Sequence, residues 1–477
     1  MKKSPIFVFI ALCLCVCMVL SVGMLFRPTT EPIGNEKRAM LPSLFTEDGA
    51  FNTDYMTELG EYFEKSFAFR PEIITADAWV KSKLFGVSNV DSVIVGTDDW
   101  LYYSSTLDDH LGRNTLTDWQ IAGVVHNLEM IQSRVEQSDA DFLFTVAPNK
   151  NTLYPEHMPY QYAIKASENF NRDALGEALT RSEVNYCDLF ATFQDREEVL
   201  YFARDSHWNS KGSLLAYDEI LDKLEKPHDD YTAATVERRK DFVGDLDKMI
   251  FPAAPHPEYN YYYGAEERYE YVTATTSVED SLIRTKNPDA TGSLYMYRDS
   301  FGNLLLPFFA SAYGTATFTK SFPMMLDYDL RSNRPDTVVF EIAERNIGWF
   351  ISTPPIMEPP VLDASGLNVQ DGGQIDVDVA PCEYSPLYLV LSGVLDAGEL
   401  DSSSVICVFV VGDDGEGTLY ECYNYLTSEG DDGFLAYLDA SRYAGQSQLT
   451  VSVVVQEDGG YRTLGTDVST IRESNED

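Results

Sequence analysis

The chain is short of positive charge. It carries 35 Lys and Arg against 76 Asp and Glu, a formal net charge of −41. That excludes a nucleic-acid surface, whose affinity comes from cations paired with phosphates, and equally a polybasic patch on lipid. Histidine is scarce, with six in 477 residues, and so is cysteine, with seven. Cys13, Cys15 and Cys17 sit inside one apolar run, each after Leu or Val rather than the small residue a lipid-attachment motif needs. They read as apolar filler. Cys187, Cys382, Cys407 and Cys422 match no metal-ligand spacing, so no metal and no other cofactor is expected. Three of these four lie in the C-terminal region, where one disulfide can form outside a cell, its pairing open. Beyond residue 360 there is no lysine and no Ser/His/Asp set, which argues against a second enzyme there.

What is present is a hydrophobic content of 44% and an aromatic content of 13%, enough to bury large cores. A length of 477 residues predicts two folded domains plus a tail or anchor. Lys2 and Lys3 precede an unbroken apolar run from Pro5 to Phe26. Such a run crosses a bilayer as a helix, and lysines on its leading side favour an inside N-terminus. An uncleaved signal anchor at 1–27 is expected, with the rest of the chain outside the cell; secretion after signal cleavage is the alternative.

Periodicity divides the remainder. Residues 28–88 read as a juxtamembrane stretch and a helical collar, with Leu59, Tyr62, Phe63 and Phe67 at helical spacing and Pro71 opening a second helix. From 89 to 352, "SVIVGTDDWLYY" predicts a hairpin, and helices then alternate with short apolar strands, among them "DFLFTVAP", "SLYMYRDSF" and "DTVVFEIAE". That order predicts a three-layer α/β/α domain with a mainly parallel sheet. A tyrosine-rich insertion at about 226–291 reads as a loop and β-hairpin. "STPPIMEPP" predicts a stiff proline-rich linker at 353–360. At 361–477 short strands separated by Asp/Gly turns predict an acidic β-sandwich of roughly seven strands, a binding or spacing module.

Two short motifs carry chemistry. "YFARDSHWNSKGS" places Asp205 and His207 two apart, so that in an extended segment both face one site, with Asn209 or Ser210 capping the next helix. "LYMYRDSFGNLLLPFFA" places Ser300 at a strand-to-helix corner, where a hydroxyl stands above the sheet edge with free N–H groups behind it. Each motif alone has a structural reading, a buried histidine or a helix cap. Together they supply a nucleophile, its base and the base's orienting partner.

"RDSHWNSKG" and "YRDSFGN", in that order, resemble the DHHW family of bacterial extracytoplasmic proteins. These belong to an SGNH-hydrolase-like group that includes the periplasmic alginate O-acetyltransferases. The resemblance runs over roughly residues 35–350 and takes in "VAPNKNTLYPEHMP" and "VVFEIAERNI". Position 206 is Ser where the family name has His, and Arg298 stands where Gly commonly precedes Asp-Ser. The resemblance implies an SGNH-like fold, with Ser300 as nucleophile, His207 as base and Asp205 as its partner. Ser300 N–H is then one oxyanion donor, with Asn149, Lys150, Asn151 and Arg345 as further candidates.

The resemblance also implies O-acetylation of a surface or secreted polysaccharide, with a multispanning membrane acyltransferase as partner. Two other readings stay open: a carbohydrate esterase with water as acceptor, and a silent glycan-binding or assembly protein.

Overall fold

The apolar run folds as helix α1 (Pro5–Gly23), since a segment without polar side chains satisfies its backbone internally. Its stretch Ile6–Gly23 is long and apolar enough to cross a bilayer, has no buried residue, and fits an anchor or a signal sequence. This computed structural model describes residues 5–472 apart from 35, 47, 195, 232–235, 266–267, 323, 370–372, 397, 399, 414 and 458–459. Lys2 and Lys3 lie outside the described residues.

Helices α2 (Tyr55–Ser66) and α3 (Arg70–Phe85) follow, with Pro71 in the first turn of α3. They are lightly packed, and Phe63, Trp79, Leu84 and Phe85 stand exposed. Then come the hairpin β1 (Val93–Val95) and β2 (Leu101–Tyr103), helix α4 (Asp118–Glu136), β3 (Asp141–Ala147), helix α5 (Asn171–Thr180), β4 (Tyr186–Cys187) and helix α6 (Ser210–Lys223). A capping box starts α4: Thr117 Oγ1 accepts the Gln120 N–H, and the Gln120 side chain accepts the Thr117 N–H. Ile121, Val124, Val125, Leu128 and Ile131 form its buried face.

Next, β5 (Glu237–Phe242) and β6 (Glu258–Tyr262) pair antiparallel around the short helix α7 (Asp245–Ile250). The expected hairpin therefore exists, but the insertion is shorter than 226–291. Its last part, β7 (Glu270–Tyr271) and β8 (Leu282–Lys286), joins the central sheet, because alternation along β8 buries Ile283 and Thr285. The domain ends with β9 (Ser293–Tyr297), α8 (Gly302–Ala312), β10 (Thr315–Thr319) and β11 (Thr337–Ala343). The seven strands run in the order β4-β3-β11-β9-β10-β8-β7. The first five are parallel, and β8 and β7 close one edge antiparallel. Along β3, Phe142, Phe144 and Val146 join one core with α4, while Leu143 and Ala147 join the other with α6 and α8. The sheet is thus covered on both faces.

The C-terminal region is all-β, with nine strands among the described residues rather than about seven. One sheet has five strands, β12 (Val361–Leu362), β15 (Val405–Val411), β16 (Gly417–Glu421), β19 (Gln448–Glu457) and β20 (Gly460–Thr470). The other has four, β13 (Val377–Pro381), β14 (Tyr388–Val394), β17 (Tyr423–Leu426) and β18 (Asp432–Asp439). Their inner faces share one core, including Val379, Leu391, Val408, Phe434 and Val451. Cys187, Cys382, Cys407 and Cys422 are buried free thiols.

The stretch 353–360 is not a free linker. Pro354, Pro355, Ile356, Met357 and Pro359 are buried, and Ile356 and Met357 belong to the core that α4 and β3 share with Tyr388, Tyr423 and Tyr437. Its prolines remove N–H donors, which lets this chain lie in an apolar seam with few groups to satisfy.

Candidate active site

Ser300 stands just past the carboxyl end of β9, before the first turn of α8. Open α/β sheets place their sites at this edge. The turn is held from three sides. Asp299 accepts the Phe301 N–H at 2.8 Å and the Ala343 N–H at 2.6 Å, which ties it to the end of β11. Buried Glu341 accepts the Asp299 N–H at 3.2 Å. Arg298 donates to Asn303 Oδ1 at 2.5 Å and to Val278 O at 2.8 Å. The arginine in place of the expected glycine is therefore a buried clamp on this turn. Burial and the adjacent Asp299 push the Glu341 carboxyl well above the usual range, and burial lowers the Arg298 guanidinium. Gly302 has to be glycine, since a Cβ would meet the Arg298 side chain at 2.7 Å.

Asp205 and His207 lie not in an extended segment but in a tight turn, clasped at its base by the Tyr201–Trp208 bridge. Asp205 itself makes the turn. Its Oδ1 accepts the His207 backbone N–H at 2.9 Å and lies 2.7 Å from His207 Nδ1. Its Oδ2 accepts the Asp245 N–H at 2.7 Å. A carboxylate can only accept, so Nδ1 carries the ring proton and Nε2 is left bare. Nε2 lies 2.7 Å from Ser300 Oγ. Trp208 is fully buried and donates its indole N–H to Phe301 O at 3.1 Å, which locks the turn to the serine corner. Asn209, not Ser210, caps α6, by accepting the N–H groups of Lys211 and Gly212.

The charges follow from this packing. Burial works against an ionised Asp205, but the His207 charge, its hydrogen bonds and the Asp245 N–H hold that carboxyl far below its usual range. Burial works against a charged His207 too, yet Asp205 outweighs it and the ring sits above the usual histidine value. Ser300 Oγ is given to this histidine and not to a helix N–H, which removes the reading of Ser300 as a cap. Its own backbone N–H has no hydrogen-bond partner among the described residues. That N–H lies two residues before α8 begins, where the helix dipole favours negative charge.

The four further candidates divide. Arg345 lines the same cavity of about 1090 Å³ as Asp205, His207 and Ser300. The other three do not line it; they are buried and committed elsewhere. Asn149 donates its N–H to Glu344 and its amide to Asp109. Asn151 donates to Thr106 O. Lys150 donates to Phe202 O, Ala203 O and Asp205 O at 3.1, 3.0 and 2.6 Å. It is a brace under the Asp205 turn, and burial brings its ammonium down to about 8.

Sequence reasoning missed Asp245, which also accepts the Ser206 N–H at 2.8 Å and hydroxyl at 2.6 Å. The signal was "VGDLD", in which Gly244 lets the chain press against Arg204 O, where a Cβ would come within 2.2 Å. Ligand atoms of Asp205, His207 and Asp245 lie within 4.8 Å of one another, the spacing of a metal site. Each of these groups is already engaged in the hydrogen bonds above, so a cation would have to break the relay.

A family model described as the SGNH hydrolase-like domain of acetyltransferase AlgX matches residues 93–301, a span that contains Asp205, His207 and Ser300. No curated protein matches the chain. Among solved structures, PatB1 of Bacillus cereus with a sulfonyl adduct is 15% identical, with a TM-score of 0.42, over 54% of this chain and 95% of that one. A DHHW family protein from Eubacterium siraeum is 17% identical, with a TM-score of 0.38, over 48% and 85%. AlgX of Pseudomonas aeruginosa is 12% identical, with a TM-score of 0.34, over 79% and 90%. The chain resembles the DHHW and AlgX-type SGNH-like proteins, and its enzyme class is that of an SGNH-type acyltransferase or esterase.

Proposed function

We propose that this protein is an O-acetyltransferase that moves an acetyl group to hydroxyls of a cell-surface or secreted polysaccharide through an acyl ester on Ser300. The observation that carries this reading is the unbroken relay from Asp205 through His207 to Ser300, with both links at 2.7 Å. His207 Nε2 takes the hydroxyl proton as Ser300 Oγ attacks the acyl carbon, and Asp205 stabilises the imidazolium that forms. The Ser300 N–H receives the developing oxyanion, and Arg345 is placed in the cavity to add positive charge. The match to an acetyltransferase domain supports acetyl as the group. The polysaccharide acceptor and a multispanning membrane partner that delivers acetyl follow from the resemblance. With α1 as an anchor, residues 28–477 lie outside the cell. The acyl-transfer unit is the α/β part, 89–352 with its collar, and the sandwich at 361–477 serves a non-catalytic role.

The test is trapping. Incubation with a small activated acetyl ester should add one acetyl group at Ser300, detected by mass spectrometry of the digested protein. Ser300→Ala should take up none while its unfolding curve is unchanged. Acetylation that persists in Ser300→Ala at the same rate defeats the proposal.

A further inference from the structure

The cleft has a wall to which the acyl-transfer reading gives no task. Arg27–Gly34, which begins four residues after α1 ends, lines the cavity that holds Ser300 and His207. This strap is seated at several points. The Thr29 N–H donates to Ser66 O and its hydroxyl to Phe67 O, both at 3.0 Å, at the end of α2. Arg27 lies over the Phe69 ring and pairs with Glu72. Just past the strap, Glu36 accepts from buried Arg70 at 2.7 Å. Gly34, at φ 61°, presses on Met249, where a Cβ would come within 2.6 Å of Cγ. Met249 belongs to α7, whose first residue, Asp245, donates its N–H to Asp205. Pro28 and Pro32 fix their own φ, so the strap is a stiff wall resting on the helix that steadies the relay.

Acyl chemistry assigns such a wall a task. An acyl ester on Ser300 has two fates. A sugar hydroxyl attacks the acyl carbon, its proton passes to His207 Nε2, the bond to Ser300 Oγ breaks, and Oγ takes the proton back. Water in the same place undergoes the same steps and releases the free acid. Which product forms depends on which hydroxyl the cleft admits. We infer that the strap Arg27–Gly34 is the positioning element that keeps water from acyl-Ser300, so that the membrane-proximal chain sets the ratio of transfer to hydrolysis. This inference rests on the acyl-transfer reading.

The experiment uses the full chain in detergent, acylated with a small activated acetyl ester in buffer alone. Acylation of Ser300 and later release of free acetate are timed separately. Gly34→Val puts a β-branched residue at a left-handed position against Met249, so the strap must lift; Thr29→Val removes only the bond to Phe67 O. In both variants the ratio of acetate release to acylation should rise, roughly tenfold in Gly34→Val, as water gains entry. Thr29→Val carries the test if Gly34→Val fails to fold. A merely structural strap would lower the unfolding temperature without moving that ratio. An unchanged ratio in a folded variant overturns this inference alone. Failure of the unaltered protein to acylate overturns the acyl-transfer reading and the inference with it.

Discussion

The C-terminal β-sandwich and the N-terminal collar are both additions to the same seven-stranded sheet, and they attach in opposite ways. The sandwich is fused through a core. Asn127 on α4 is fully buried, donates to Phe350 O and Asn424 O at 2.7 and 2.8 Å, and accepts the Asn424 N–H at 2.9 Å. Asp327 takes Arg134, the Tyr388 hydroxyl and the Glu358 N–H. Yet among the described residues none beyond Arg345 lines the cavity. The collar is the reverse. Trp79, Leu84 and Phe85 are all more than half exposed, yet the collar and the strap before it supply Arg27–Gly34, Phe69, Pro71 and Glu72 to the cavity wall. Burial and chemistry are therefore contributed by different additions, and the comparison can be broken at either end.

The largest effect should come from ending the chain at Thr353. That removes Ile356, Met357, Tyr388, Tyr423 and Tyr437 from the core they share with α4 and leaves the Asn127 amide and the Asp327 carboxylate buried with fewer hydrogen bonds. Loss of the cooperative transition in thermal unfolding is expected. A sharp transition at the full-length temperature would show that the sandwich is a passenger after all.

A single side chain sharpens the same point. Asn127→Leu removes three hydrogen bonds, two of them to the sandwich, and strands the Asn424 N–H and two carbonyls. Leaving buried groups unpaired costs roughly 1–3 kcal/mol each, so a total of about 3 kcal/mol is expected after partial relaxation. Denaturant unfolding measures it. Acetylation of Ser300 below the transition should be unaltered, because Asn127 lies in the seam and not in the cleft.

The comparison also shows what sequence could and could not give. The order of elements, the hairpin at 93–103 and the meeting of Asp205, His207 and Ser300 were legible from periodicity and from two motifs. The seam was not. A proline-rich stretch looks the same whether it crosses solvent or lies in a groove, since proline's missing N–H suits both. Asp245 left only an indirect mark, the glycine before it, because it acts on Asp205 through its backbone N–H, which any residue possesses. Asn149, Asn151 and Lys150 were picked out as oxyanion or substrate candidates, and they do not line the cavity. Their amides and ammonium point into loops, where they satisfy carbonyls and carboxylates that the fold buries.

On the cleft side the group that sets the pH response is His207, whereas in the seam Cys422 and Tyr423 are raised well above their usual values by burial. His207 reacts as a base only when neutral, and Asp205 holds it protonated to higher pH than usual despite burial. Acetylation of Ser300 should thus rise with pH, with a midpoint above the ordinary 6.5. Stability follows the opposite sign. A raised histidine stabilises the fold below its unfolded value, and that contribution is lost as pH rises through its folded value. In Asp205→Asn the rate should fall by up to ~10⁴-fold and the midpoint should move down, since the main opposition to burial is lost and only the more weakly acting Asp245 and Asp299 remain. A midpoint unmoved by Asp205→Asn would mean that another group controls the profile.

The smallest effect is expected on the collar's outer surface, and it decides how the collar should be understood. Trp79 lies on α3 at 58% exposure, while Ala78 beside it is buried against Leu246 and Ile250 on α7. Only the inner face of that helix meets the domain. Trp79→Gln should change the unfolding free energy by no more than about 0.5 kcal/mol, as for other exposed positions without partners. Ala78→Val on the adjacent face should cost roughly 1–3 kcal/mol by overpacking against α7, the helix that carries Asp245. Because α7 steadies Asp205, Ala78→Val should also slow acetylation of Ser300, whereas Trp79→Gln should not. Equal effects of the two substitutions on acetylation would mean that α3 does not reach the relay through α7, and that the collar touches the cleft only by way of its strap.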